Sequence, residues 1–314
     1  MATMYSPLLS RRQAVGGGLL ACVGASALPR AWAAETAGAQ RLITKTIPSS
    51  GEKLPVIGLG TDSFRVSESA AIRDEIKRMH ELGGSVIDTA AAYGDSEALI
   101  GEALATLGIR DGMFIATKLT ADGFFGGVGG EASFQRSLER LRVQRIDLLQ
   151  VHNLNGIDTL MPMLQQWKKA GKIRYVGVTT SRVSQHSDLI EAMRKYPLDF
   201  IQVDYSIANR DSALKVLPLA LERRVAVLAN LPLARAELIG KAGERKLPDW
   251  AAEIDVSSWS QFFLKYVISH PAVTCAIPGS TKVAHLEDNQ AAARGRLPDA
   301  QTRSKMEQFW DGMA

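Results

Sequence analysis

The 314-residue chain has only two cysteines, Cys22 and Cys275, and no Cys-x-x-Cys pair. That excludes a zinc site of the paired-cysteine type, and no internal disulfide can form once a leader carrying Cys22 is removed. No uninterrupted apolar run reaches the ~18 residues that a spanning helix needs, so stable membrane insertion is not expected. Gln/Asn-rich and Pro-rich tracts are missing, and with them the usual signs of a disordered segment. No Gly-x-Gly-x-x-Gly follows the first strand-like run, so the phosphate cradle of a doubly wound dinucleotide fold is missing there. Basic patches interleaved with aromatics are also absent, and nucleic acid is not an expected partner.

Acidic residues are missing from one place in particular, residues 1–33. This stretch carries Ser10-Arg11-Arg12, a weakly apolar region from Ala14 to Leu28, and Ala31-Trp32-Ala33. Paired arginines, an apolar region and a small-x-small site are the layout of an export signal, and the whole resembles a twin-arginine signal. The expectation is a signal over 1–33, one domain over 34–314, export machinery as a partner, and a periplasmic mature protein. Leu19-Leu20-Ala21-Cys22 leaves a lipoprotein site as the alternative. Removing Arg11, Arg12 and Arg30 from 37 basic residues leaves 37 − 3 = 34 against 33 acidic ones, so the mature chain is nearly neutral.

What remains is 46% hydrophobic and 22% charged over the whole chain, enough to bury a full core. Short aliphatic runs recur at Val56–Leu59, Val86–Asp88, Phe114–Thr117, Ile146–Val151, Tyr175–Val178, Phe200–Val203, Val225–Leu228 and Val273–Ile277. Helix-period stretches such as "SESAAIRDEIKRMHELGG" and "DTLMPMLQQWKKAGK" lie between them, closed by Gly83 and Gly171. Strand-helix units repeating roughly every 25 to 33 residues until the last predict a (β/α)8 TIM barrel, with an open doubly wound sheet as runner-up. "RLITKTIPSSGEKLP" reads as an N-terminal β-hairpin that plugs the barrel floor. The loop "GFFGGVGG" (123–130) and the segment Leu231–Asp255 follow the third and seventh strands, on the face where barrels build their sites.

Four residues fall at equivalent strand ends. Asp88 ends the second strand, Tyr93 follows in its loop, Lys118 ends the third and His152 the fourth. Each alone has an ordinary structural account, as a turn acceptor, a loop aromatic, a solvated cation or a core imidazole. Their joint placement on one rim points to chemistry. A phenol of pKa about 10 donates a proton poorly near neutrality unless its anion is stabilised. A lysine cation against the phenol oxygen is expected to lower it, a carboxylate behind the lysine orients the cation, and a neutral imidazole N–H can hold a carbonyl oxygen.

With those residues in "DTAAAYG", "ATK" and "LLQVHN", the chain resembles the aldo-keto reductase superfamily. "GLGT" (58–61), "GKIRYVGVTTS", "FIQVDYS" and "IPGSTKVAHLEDN" match further family segments in order, from about residue 41 to 295. The resemblance implies a nicotinamide cofactor bound without a Rossmann fold, hydride transfer to an aldehyde or ketone carbon, and Tyr93 as the acid. It implies cofactor contacts from Gly60, Thr61, Asp88, Thr179, Thr180, Gln202, Asn230, Leu231 and Leu233. Gln202 matches the residue that holds the carboxamide. Thr180 stands where an Asn is usual, and Asn230 where an aromatic commonly stacks. Gly279, Ser280, Thr281, Lys282 and His285 would meet an adenosine 2'-phosphate and Asn289 the adenine, which favours NADPH with NADH possible. No metal site is expected. A barrel that binds nicotinamide without turnover, or a Schiff-base aldolase or isomerase using Lys118, remains the alternative.

Overall fold

The computed structural model describes residues 40–122 and 129–313. The expected export signal and most of the loop at 123–130 lie outside the described residues.

The described chain opens with a hairpin, β1 (Thr44–Thr46) paired antiparallel with β2 (Lys53–Pro55). Eight parallel strands follow in chain order: β3 (Leu59–Gly60), β4 (Val86–Asp88), β5 (Phe114–Leu119), β6 (Ile146–Val151), β7 (Ile173–Thr179), β8 (Phe200–Asp204), β9 (Ala226–Asn230) and β10 (Val273–Ala276). Each pairs with its sequence neighbours, and parallel bridges Ile57–Ala276 and Gly60–Gly279 join the first to the last. Backbone bonds from Gly58 N to Ala276 O (2.8 Å) and from Ala276 N to Val56 O (2.9 Å) reinforce that seam and close the ring. At Gly60 the approach is so near that a Cβ would sit 2.9 Å from Ile277 O, so a side chain there would force the seam apart. The expected (β/α)8 barrel is the observed fold.

Helices α1 (Ser69–Glu81), α2 (Ser96–Leu107), α3 (Gly130–Leu141), α4 (Ile157–Lys169), α5 (His186–Lys195) and α6 (Ser212–Glu222) cover the outside between strands. They bury apolar stripes such as Ile72, Ile76 and Met79 of α1 in one outer core with the outward strand residues Ile87, Ile115 and Leu149. Gly83 and Gly171 take φ of 84° and 73° just beyond α1 and α4, the left-handed stop the sequence pattern required. The segment after β9 is more structured than a plain loop: it contains α7 (Glu237–Ala242) and a 3-10 turn at Asp249–Ile254 before α8 (Trp259–Ile268). Two further helices, α9 (Val283–Ala291) and α10 (Ala300–Asp311), complete the chain.

Alternation along the strands separates two cores. Inside the barrel Phe114, Tyr175 and Phe200 fill one layer with ring centres 5.6–5.9 Å apart, over Ile47 and Leu54 of the hairpin. The hairpin therefore plugs the floor as expected, and Lys45 pins it by donating to the carbonyls of Ile268 (2.7 Å), His270 (2.8 Å) and Val273 (2.6 Å). Toward the opposite end the interior turns polar, with Asp88, Lys118, Gln150 and Gln202 on four strands. Among the described residues no helix is long and apolar enough to cross a membrane.

Candidate active site

The polar end of the barrel opens into a cavity of about 580 Å³ lined by the strand ends and the loops after them. Asp88 closes β4 and its carboxylate is held by two donors. Lys118 Nζ, reaching over from β5, donates to Asp88 Oδ2 at 2.6 Å and to Thr89 O at 2.8 Å. Gln202 Nε2, from β8, donates to the same oxygen at 3.1 Å. Both members of the ion pair are out of solvent, with side-chain exposures of 2% and 4%.

Tyr93 sits in the tight turn that joins β4 to α2, where its backbone N donates to Ala90 O (3.0 Å) and its carbonyl accepts from Ser96 N (3.1 Å). That turn lays the phenol ring beside the pair: Lys118 Nζ is 5.0 Å from the ring centre. His152 meets the ring edge-on, at 5.8 Å between centroids and 80° between planes. It emerges where β6 ends in a sharp bend, with Asn153 and Leu154 at φ of 52° and 59° and Asn153 N donating to Thr179 Oγ1 (3.0 Å). A buried hydroxyl relay supports the turn, Thr89 Oγ1 to Ser96 Oγ (3.0 Å), Ser96 Oγ to Thr61 Oγ1 (2.8 Å) and Thr61 Oγ1 to Asp88 O (2.9 Å). The four residues singled out by strand-end placement thus meet in one spot.

Electrostatics divide the group into a charged half and a neutral half. Burial works against charge on Lys118, but Asp88 and then Tyr93 outweigh it and hold the lysine above its ordinary value. Burial likewise raises Asp88, against the lysine's attraction. Burial, then the lysine's charge, takes His152 down to about 3, so it is a neutral imidazole through the physiological range. For Tyr93 the expectation needs correcting. Lys118 does pull the phenol down, but burial pushes harder, Asp88 and Asp62 add to the push, and the net shift is upward. A sequence argument that counts the cation omits the desolvation of a phenolate at a half-closed site.

Of the residues expected to hold a cofactor, Gly60, Thr61, Thr179, Gln202, Asn230, Leu231 and Leu233 line the cavity, as do Gly279, Ser280, Thr281, Lys282, His285 and Asn289. Thr180 does not. Its hydroxyl donates to Gln185 Oε1 (2.7 Å) and its carbonyl accepts from Asn230 Nδ2 (3.0 Å), so it braces the wall from behind while its neighbours Thr179 and Ser181 face in. The reading of the sequence missed Asp62, which directly follows "GLGT", and Arg235 in "LPLARAEL". They meet across the cavity mouth at 3.2 Å. Arg235 belongs to a run, Ala234 to Ala236, with φ of 46°, 53° and 71°, a left-handed path rare for residues with a Cβ. Among the described residues no cluster of three or more His, Cys, Asp or Glu side chains could hold a metal.

A closed parallel barrel with an Asp–Lys–Tyr–His cluster on the rim at its strand C-termini defines a (β/α)8 protein whose chemistry is built from its βα loops. The chain belongs to the aldo/keto reductase family, whose profile matches residues 56–309. An uncharacterized oxidoreductase of Mycobacterium tuberculosis is 32% identical over 289 residues, covering 80% of this chain and 87% of that protein. Methylglyoxal reductase YeaE of Escherichia coli is 30% identical over 273 residues, covering 82% and 92%. Among solved structures, an aldo/keto reductase from Klebsiella pneumoniae in complex with NADP and acetate superposes with a TM-score of 0.71 at 24% identity, covering 83% and 93% of the two chains.

Proposed function

We propose that the protein is an NADPH-dependent reductase of a small aldehyde or ketone, with Tyr93 as the general acid. The observation that carries this reading is the buried Lys118–Asp88 ion pair set against the Tyr93 ring, with neutral His152 packed edge-on to the same ring, in the cavity. The names of the relatives, a methylglyoxal reductase and an NADP complex among them, support the substrate class and the cofactor.

The residues present fit a nicotinamide nucleotide. Gln202 Oε1 and Asn230 Oδ1 are buried acceptors without a partner in the protein, as a carboxamide NH2 requires. Asn230 offers no ring to stack on, so polar contact replaces aromatic contact at the end of β9. Ser280, Thr281 and the exposed Lys282 gather around the start of α9, where helix N-terminal amides favour an anion such as a 2'-phosphate. When bound, the cofactor supplies hydride to the carbonyl carbon. The imidazole N–H of His152 holds the carbonyl oxygen, Tyr93 passes its hydroxyl proton to that oxygen, and Lys118 stabilises the phenolate left behind. Asp88 holds the lysine in place. A Schiff base on Lys118 is disfavoured because its nitrogen is held as a cation between Asp88 and Thr89.

Tyr93→Phe is expected to lower kcat by at least about 10²-fold with NADPH affinity near that of the parent. Retained turnover would remove the assignment. We propose further that the Arg11-Arg12 signal exports the folded, cofactor-loaded protein to the periplasm. Cell fractionation with and without Arg11→Lys and Arg12→Lys tests the export step, and assaying nicotinamide released from the exported protein tests the loading.

A further inference from the structure

Gln150 has no place in the mechanism above, yet it lies in the same polar layer. Leu148 of β6 points into the barrel, so by alternation Gln150 does too, and it is 0% exposed. Both ends of its amide, Oε1 and Nε2, lack any partner in the protein. Its strand neighbours in register are Lys118 on β5 and Gly177 on β7. Gly177 makes room for it: a Cβ there would meet Gln150 Cγ at 3.1 Å. Asp88, on the far side of β5, has a buried oxygen without a partner, Oδ1, while Oδ2 takes both Lys118 and Gln202. An amide that packs only against neighbours destabilises a core, because its donor and acceptor are desolvated for nothing. A leucine would fill the same space without that penalty.

We propose that Gln150 is a positioning residue for the Asp88–Lys118 pair: its amide satisfies Asp88 Oδ1 through one water, and so sets the orientation of the lysine toward Tyr93. A water accepts from Nε2 and donates to Oδ1, which leaves Oδ2 to the lysine. The charged groups facing Tyr93 are Lys118 from β5, Asp88 from β4 and Asp62 from the loop after β3, with neutral His152 from β6. Losing the Gln150 contact frees the carboxylate to turn and to draw the lysine with it away from the ring, so the lysine stabilises the phenolate less and the phenol becomes a weaker acid.

The proposal rests on Tyr93 being the acid, and two measurements separate its fate from that reading. In Gln150→Leu, and in Gln150→Met should the leucine variant misfold, the rate of alcohol oxidation with NADP+ should rise with pH along a limb displaced upward by at least about half a unit. At pH 8, on the rising part of that limb, oxidation and carbonyl reduction should therefore slow together, because their ratio at fixed pH is set by the reactants, with NADPH affinity within about twofold of the parent. A purely structural role would instead leave the plateau of that limb and the titration midpoint of the Tyr93 phenol in place, and that result overturns the proposal. A chain that turns over no carbonyl would refute the reductase reading instead. Gln150 is then judged by ultraviolet titration of the Tyr93 phenol against Tyr93→Phe as reference: a midpoint unchanged in Gln150→Leu refutes it without any turnover.

Discussion

The ion pair of Asp88 and Lys118 can be tested as a unit by a double-mutant cycle. Lys118→Met leaves a carboxylate that is 3% exposed with one remaining side-chain donor, Gln202. Breaking one side of a buried pair costs about 3 to 5 kcal/mol, since the survivor stays desolvated. For a barrel of this size that is a fall in melting temperature of roughly 6 to 15 °C. Asp88→Asn should cost a comparable amount, because the lysine keeps only Thr89 O. The double variant buries two neutral groups in contact and should recover most of the loss, giving a coupling of about 3 kcal/mol or more between the sites. Turnover should behave the same way, with the double variant little worse than either single one.

The cost of Lys118→Met should also depend on pH. With its cation gone, burial and then the charge of Asp62 raise Asp88 against the one hydrogen bond from Gln202, and its folded pKa lies above the unfolded one. A carboxyl raised in this way is as stable folded as it can be below the unfolded value of about 3.9, and the loss grows by up to about 1.4 kcal/mol per unit as pH rises toward the folded pKa. Urea unfolding of the four proteins at pH 5 and pH 8 measures all of this. Strict additivity of the two single losses would show that the residues act independently and that no coupled pair exists.

Two other outcomes follow from buried or exposed single charges. Lys282→Ala should weaken NADPH binding about tenfold and NADH binding less than twofold by calorimetric titration, the loss of one charge-assisted contact to phosphate; equal losses would mean that the start of α9 does not discriminate. Glu75 of α1 is 0% exposed, and burial pushes its pKa up to about 7 against the pull of the Ser280 hydroxyl. Because the folded value is raised, the stability it contributes is complete below about pH 4.5 and is lost as pH rises through about 7. Glu75→Gln should therefore stabilise the protein by about 2 to 3 kcal/mol at pH 8 and by much less at pH 5, read as melting temperature at the two values; a gain that is the same at both would mean the carboxyl is ionised throughout.

Much of the architecture was legible because strand spacing repeats. Runs such as Ile146–Val151 and Phe200–Val203 reappear as β6 and β8 with little change, and the glycines after α1 and α4 stop the helices where the pattern put them. The rim residues were legible for the same reason, since a strand's last residue has a known address in a barrel. Side-chain direction within a loop has no such periodicity. Nothing in "TTS" said that Thr180 would turn back onto Gln185 while Thr179 and Ser181 face the cavity, and nothing in "LPLARAEL" said that Arg235 would cross the mouth to Asp62. Desolvation was equally hidden. It depends on the closure of the site around Tyr93 rather than on the identity of its neighbours, and it reversed the expected direction of the phenol's shift.

That reversal bears on the direction in which the proposed enzyme works best. A phenol raised by burial is fully protonated at neutral pH, the state a general acid needs to reduce a carbonyl. His152, neutral down to about pH 3, keeps its hydrogen-bonding role without titrating in the usual imidazole range. Neither group then has a midpoint between pH 5 and the ordinary tyrosine value of about 10, so kcat for reduction should be flat across that range. Oxidation of the alcohol requires the phenolate, whose fraction grows tenfold for each unit of pH below the phenol's pKa. Its kcat should therefore climb about tenfold per unit through the same range. Steady-state kinetics in both directions with saturating cofactor measure the two slopes. A reduction rate that falls through a midpoint near 7 would mean that the lysine overcomes burial once the cleft is filled, and would return the phenol to the depressed value that the cation alone predicts.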